Sequence, residues 1–377
     1  MGAAGNRANS GELVSVVIAA FNCASTIDGA VRSCLDQTCG NTEVIVVNDG
    51  SNDGTRDVLA RFGSDICVID QANGGLAAAR DMGQRAARGE FVAWMDGDDL
   101  AQPERLQAQI AALRAVPEAD LACSNFSAFR DPAEDFDPSH IEAYYGTLRR
   151  VGGLSAVFPN ERIISINGSG NALSVRWGWV YDAMLAGNFV HPPTVLLRRS
   201  LFERSGGFDC TLRYSSDYDF LLRTSRMTPF AYVDSALLRY RRHDLQMSRA
   251  AGSGKLQLET VRVLEKARRA DAALDGRRGD DLRRFSAEAL LSAAYALART
   301  NRIEGLRLVR AARSHRFLPA ASLRAIARLA VPNAAIDAAK WLREKIRAVI
   351  AAPVVFGSEE FESLFAVASA ATCLFAA

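Results

Sequence analysis

FVAWMDGDD, residues 91–99, runs five apolar residues without a break into three carboxylates around one glycine. An unbroken apolar run of this length suits a strand of a parallel sheet buried on both faces. Asp96, Asp98 and Asp99 would then stand at its C-terminal end, where open α/β sheets bind ligands. Three carboxylates in four residues repel one another. Hard divalent ions such as Mg²⁺ and Mn²⁺ relieve that repulsion and keep sites open for substrate phosphates. The competing reading is an acidic solvated turn or helix cap ahead of Pro103, and for a lone Asp-x-Asp it would prevail. The position at a strand end shifts the balance toward a metal–phosphate site.

Outward from this stretch, strand and helix patterns alternate. Leu13–Ala19, Glu43–Val47 and Ile66–Asp70 read as strands. Thr26–Gln37, Thr55–Phe62, Gly75–Arg88 and a segment from Pro103 to about Arg114 read as helices. Strands separated by helices of this length predict βαβ units and a parallel sheet. From Leu121 to Val190 the pattern is irregular, and it is read as short strands, loops and an inserted helix. A second ordered block, His191–Arg249, holds a strand at Thr194–Arg198, a turn at Gly206-Gly207-Phe208-Asp209 and a helix at Ser216–Thr224. From Lys255 the pattern is helical almost throughout.

Other polar clusters fall at the same sheet edge. Asn48-Asp49-Gly50-Ser51 follows a strand; a simple Asp-Gly turn explains it, but a carboxylate there can also accept from a base N–H or a ribose hydroxyl. In Asn73-Gly74-Gly75-Leu76-Ala77-Ala78-Ala79-Arg80 the glycines admit a ligand close to the backbone. Arg80 can reach a diphosphate or stack near a base, or else form a surface ion pair with Asp81 or Glu90. Asp217 opens a helix whose macrodipole favours the anion, and helix-start aspartates are often merely structural. His243 closes the ordered block in Tyr240-Arg241-Arg242-His243, and no two of the four histidines have metal-ligand spacing.

In this order and spacing the chain resembles the family 2 inverting glycosyltransferases of GT-A fold, over roughly Val14 to Ser248. The resemblance rests on VSVVIAAFN, VIVVNDGSNDGT, NGGLAAARDMG, FVAWMDGDD, GGFD, SDYDFLLR and YRRHDLQMS. It implies a mixed, mostly parallel Rossmann-like sheet followed by a helical C-terminal region. It implies a catalytic domain at 13–250, with a nucleotide-sugar half to 120 and an acceptor half from 121; the small polar residues 1–12 read as a disordered N-terminus, and the helical pattern makes 251–377 an appendage. The resemblance assigns Asp49 to the nucleotide base, the wall around it to Ala20 and Phe21, and nucleotide-sugar contacts to Arg80, Asp96 and Gly97. It makes Asp98 a ligand of Mn²⁺ or Mg²⁺, with His243 beside the metal or diphosphate, and Asp217 the catalytic base. The implied donor is a nucleotide-sugar, expected to be UDP-linked, and the acceptor a glycan or lipid-linked hydroxyl in bacterial cell-surface polysaccharide assembly. Ala19-Ala20 replaces the family's Pro-Thr, and Ser216 replaces an acid before the base, whose like charge would have raised its pKa. The Gln-x-x-Arg-Trp signature of processive synthases is absent. The rival readings are a nucleotidyltransferase, which needs no base at Asp217, and a degenerate scaffold, against which the retained Asp96, Asp98, Asp217 and His243 argue.

Composition narrows the field further. The 377 residues are 49% hydrophobic with a net charge of +2, which excludes wholesale disorder and argues against a nucleic-acid partner. Seven cysteines without a Cys-x-x-Cys pair suit reduced, cytoplasmic thiols. Residues 1–254 carry 24 basic and 30 acidic side chains, against 21 and 10 in residues 255–350. Neither Val14–Ala20 nor Phe361–Ala377 reaches the roughly 20 apolar residues of a membrane span. Leu342, Ile346 and Val349 lie among Lys340, Arg343, Lys345 and Arg347, a basic amphipathic pattern that can rest on anionic lipid. The expected location is therefore the cytoplasm, or peripherally the inner face of the plasma membrane. A bundle packed on the catalytic domain, or a homodimer interface, explains the same pattern.

Overall fold

The computed structural model describes residues 12–131, 134–166, 172–243, 254–298 and 300–315. The expected basic stretch at Lys340–Ile350 and the N-terminal eleven residues lie outside them. Strand β1 (Val14–Ala20) is buried at every position, as its continuous apolar run requires. It leads through α1 (Ile27–Leu35) to β2 (Thr42–Asn48), and through α2 (Thr55–Ala60) to β3 (Cys67–Asp70). Helix α3 (Leu76–Ala86) crosses back to β4 (Phe91–Asp96), which is followed by the short β5 (Leu100–Ala101) and α4 (Arg105–Ala115). Gly83 is where α3 meets the sheet: a Cβ there would lie 2.3 Å from Val17 Cγ1.

Two long strands come next. β6 (Leu121–Asp131) pairs with β7 (Glu134–Asp137); then follow the short helices α5 (Ile141–Tyr144), α6 (Gly146–Arg150) and α7 (Leu154–Val157), and the hairpin β8 (Asn160–Ser165) and β9 (Ala172–Gly178). After α8 (Tyr181–Met184) come β10 (Leu196–Arg198), α9 (Arg199–Ser205), α10 (Ser216–Thr224) and β11 (Phe230–Arg241). The order across the sheet is β3-β2-β1-β4-β10-β6-β11-β9-β8, with β5 on β11 and β7 on β6. β3, β2, β1 and β4 run parallel, and so do β6 and β11. The chain builds outward from β1 to β3 and then returns to β4 on the other side of β1. The C-terminal ends of β1 and β4 therefore flank the switch-point crevice where such sheets take ligands.

The eleven-residue β6 is longer than the short strands expected between Leu121 and Val190, while the described remainder of that stretch is short strands and short helices as expected. Ser124, Asn125 and Ser127 break the apolar signature of β6, yet all three are buried, with Asn125 bonded to Ser139 and to the Phe126 N–H. β11 has a register shift between Val233 and Ala236, which accommodates Asp234 and Ser235.

The C-terminal helices are α11 (Lys255–Ala270), α12 (Leu274–Leu297, with non-helical dihedrals at Arg278) and α13 (Arg302–Ser314). Val263, Leu264, Ala267, Leu274, Leu282 and Phe285 join the same apolar cluster as the sheet. Ala287, Leu290, Leu291, Leu308 and Val309 close a second cluster between α12 and α13. Among the described residues no helix is long and apolar enough to cross a membrane.

Candidate active site

The crevice is built from strand ends. Ala19 of β1 lies in register with Asp96 of β4. Beyond Ala20, which is buried, the chain turns at Asn22 in the left-handed region with φ 49°, leaving Phe21 half exposed at the rim. The Asp49 N–H donates to the Ala20 carbonyl at 2.8 Å, tying the two expected base-binding segments together.

Asp49 is only 3% exposed. Its carboxylate accepts from Gln71 Nε2 at 2.7 Å and from the Gly74 and Gly75 N–H groups at 2.8 Å each. A carboxylate offers about four lone-pair positions, so one remains for a ligand N–H. The chief visible work of Asp49 is to fold the glycine loop that precedes α3. Gly50 has φ +74°, and a Cβ on it would lie 2.8 Å from the Asn73 nitrogen, so glycine is required for this approach.

That loop delivers Arg80 to the acidic rim. Arg80 is 1% exposed, lies over Trp94 at 5.7 Å and donates from Nη2 to Asp96 Oδ1 at 2.6 Å. Its partner is thus Asp96, not Asp81 or Glu90 as a surface role would have it; Asp81 instead pairs with Arg85. Arg80 Nε and Nη1 are buried with no hydrogen-bond partner among the described residues, an expensive state unless something accepts from them.

Gly97 lies between the two rim carboxylates, its carbonyl accepting from Thr26 Oγ1 at 2.9 Å. A Cβ on it would sit 2.9 Å from Cys23 Sγ. Asp98 Oδ2 and His243 Nε2 are 2.9 Å apart. Burial, with Asp96 adding, raises the Asp98 carboxyl above its ordinary range, and His243 opposes the rise. Asp99 turns inward to accept the Arg241 N–H at 2.9 Å. Arg241 Nε meanwhile donates to the Asp98 carbonyl, so the end of β11 holds the acidic turn. Among the described residues no group of three His, Cys, Asp or Glu side chains is gathered as a metal site.

Asp217, on the first turn of α10, accepts the Tyr218 N–H. Burial pushes its carboxyl above the ordinary 3.8; Arg80 pulls it down and Asp96 pushes it further up. Arg80, Asp96 and Asp217 therefore act on one another across the crevice. Ser216 removes a like charge from beside Asp217, yet burial outweighs that loss.

Several rim residues escaped the sequence reading. His191 is buried, stacked on Phe126 at 4.2 Å, with Nδ1 3.1 Å from the Tyr145 hydroxyl. Burial, with Arg80 and His140 adding, lowers its pKa to about 3, so it is neutral. Burial raises the Tyr145 hydroxyl well above its ordinary range, with Tyr144, Asp217, Tyr240 and Asp96 adding. The only signal for this aromatic wall was the His191-Pro192-Pro193 stretch leading into β10. Of the tryptophans at the end of β9, Trp179 is exposed. Trp177 pairs with Ala231 at the start of β11, roughly 30 Å of strand from Arg241.

Residues 15–172 match the family described as Glycosyl transferase family 2. An uncharacterized glycosyltransferase of Rickettsia typhi is 29% identical over 239 residues, which is 63% of this chain and 67% of the relative. Among solved structures, TarS of S. aureus superposes with a TM-score of 0.52 at 16% identity, over 80% of this chain and 53% of TarS. The chain thus spans about half the length of TarS. Residues 1–349 of TarS in complex with UDP-GlcNAc give 0.50 at 14% identity, over 80% and 88%. The sheet order, the acidic turn at the switch point and these likenesses agree: residues 15–172 match family 2 glycosyltransferases, on a chain of GT-A fold.

Proposed function

We propose that the protein moves a sugar from a nucleotide-diphosphate donor, UDP-linked, to a hydroxyl of a glycan or lipid-linked acceptor. The transfer inverts the anomeric configuration in a single displacement. The observation that carries this reading is the setting of Asp217 on the first turn of α10: its carboxyl is raised by burial and feels the charges of Arg80 and Asp96. The carboxylate accepts the acceptor proton as the hydroxyl oxygen bonds to the anomeric carbon and the diphosphate leaves from the opposite face. Arg80 has two unpartnered nitrogens, which suit the oxygens of the departing diphosphate. Phe21, exposed at the rim, offers a face to the base, and the remaining lone pair of Asp49 accepts a base N–H. A UDP-GlcNAc complex of TarS, which shares the fold, supports the choice of donor.

Asp98 and His243 fit a divalent ion. They bring an oxygen and a nitrogen donor within 2.9 Å of each other, beside the Asp96 carboxylate on the same turn. When bound, such an ion offsets negative charge on the diphosphate.

A thermal-shift screen against nucleoside diphosphates and nucleotide-sugars, with and without Mn²⁺, tests this reading. A ligand that binds the native state at 100 times its Kd stabilises it by about 2.7 kcal/mol. The expected result is a UDP-selective rise in Tm that grows with Mn²⁺. A folded protein with no shift for any nucleotide would overturn it.

A further inference from the structure

Helix α11 lies outside the matched family segment, yet its side chains hold the approach to Asp217. Glu259 is 8% exposed. Its Oε1 accepts the Arg213 N–H at 3.0 Å, and its Oε2 accepts the N–H groups of Tyr214 at 2.6 Å and Ser215 at 2.9 Å. Three consecutive backbone donors thus converge on one carboxylate 44 to 46 residues away in sequence. These residues lead directly into α10, whose N-cap residue Ser215 makes no side-chain cap of its own. The Ser215 hydroxyl instead donates to the Leu256 carbonyl, again on α11. The orphan N–H groups of a helix start need acceptors, and a carboxylate there also complements the helix dipole. Glu259, supplied from another element, accepts the N–H of the N-cap Ser215 and holds the two residues ahead of it, Arg213 and Tyr214.

A second grip lies two turns further along α11. Lys266 Nζ contacts Asp209 Oδ2 at 2.7 Å and Asp219 Oδ1 at 2.5 Å. Asp219 is 1% exposed and also receives Arg223 Nε, while Arg223 reaches back to the Ser205 and Gly207 carbonyls. The segment from Asp209 to Asp219 is therefore held by α11 on both sides of Asp217.

We propose that Glu259, with Lys266, is a positioning residue for the catalytic base: α11 fixes the backbone that aims the Asp217 carboxylate into the crevice. The proposal rests on the reading of Asp217 as base. It makes α11 part of the catalytic unit, not of an appendage. Positioning is worth rate because a displaced base loses the proton-transfer geometry while the donor site, built by β1, β2 and β4, stays intact.

The test compares full-length Glu259→Gln, Glu259→Asp, Lys266→Met and Asp217→Asn with the parent chain. Turnover is counted per nucleotide-binding site, titrated with UDP and Mn²⁺, so that unfolded molecules do not enter the ratio. Glu259→Gln should lower kcat tenfold or more while KM for the donor stays within twofold. Glu259→Asp, which keeps the charge, should fall between it and the parent, and Lys266→Met should lower kcat several-fold by the same split. Unchanged kcat per binding site in the Gln and Met variants, with Asp217→Asn inactive, would overturn the positioning role alone. Loss of kcat only in proportion to nucleotide binding would overturn it too, by showing a purely structural clamp. Turnover retained by Asp217→Asn would remove the base itself, and the positioning role with it.

Discussion

Under the proposal that Asp217 is the base, burial raises its carboxyl and the Arg80 guanidinium opposes the rise, so the Arg80 charge helps set the pH at which the base is deprotonated. A base works deprotonated. Activity should therefore fall as pH drops through a value above the ordinary 3.8, and the acid limb of kcat against pH reports it. Arg80→Met removes the restraining charge, which moves that limb to higher pH. The same variant deletes a charged hydrogen bond to Asp96, whose side chain is 29% exposed, and should cost about 1 to 2 kcal/mol in denaturant unfolding. It should also weaken UDP binding. An acid limb that stays in place in Arg80→Met would contradict that charge interaction.

At the scale of elements, the parallel half of the sheet was legible because its strands are continuous apolar runs and each ends in a polar turn. β1, β2, β3 and β4 fall within one or two residues of their expected limits. β6 was not legible because buried Ser124, Asn125 and Ser127 break its apolar run, Asn125 finding its partner in Ser139, and β11 was not because a register shift interrupts it at Asp234 and Ser235. The residues at the rim were readable for a related reason. Asp96, Asp98 and Asp217 follow strands or start helices, and local pattern marks such places. The aromatic wall of Phe126, Tyr145 and His191 was not, because it is assembled from three separate segments. Close packing of α3 on β1 gives a test at this scale. Gly83→Ala places a methyl 2.3 Å from Val17 Cγ1 and 3.2 Å from Val47 Cγ2. The gain in helix propensity is about 1 kcal/mol, and overpacking of this kind costs typically 1–3 kcal/mol. Chemical denaturation should show a net loss; a more stable variant would mean that α3 stands further from the sheet.

Across the whole molecule, the apolar core does not stop at the last strand. Val263, Leu264, Leu274, Leu282 and Phe285 are each at most 7% exposed and belong to the cluster that includes the sheet. Full burial of such a side chain contributes roughly 1.5–3 kcal/mol, and a domain's total stability is about 5–15 kcal/mol. A chain ended at residue 250 should therefore fail to give a cooperatively folded, UDP-binding protein, which circular dichroism melting and UDP titration would check. A folded, UDP-binding product would show that the sheet stands without α11 and α12. The central claim concerns the crevice that this core supports, and steady-state transfer kinetics of Asp217→Asn beside the parent test it most directly, with donor affinity measured in parallel. The account predicts a fall in kcat of roughly 10²–10⁴-fold with donor affinity unchanged. Full turnover in Asp217→Asn would contradict it.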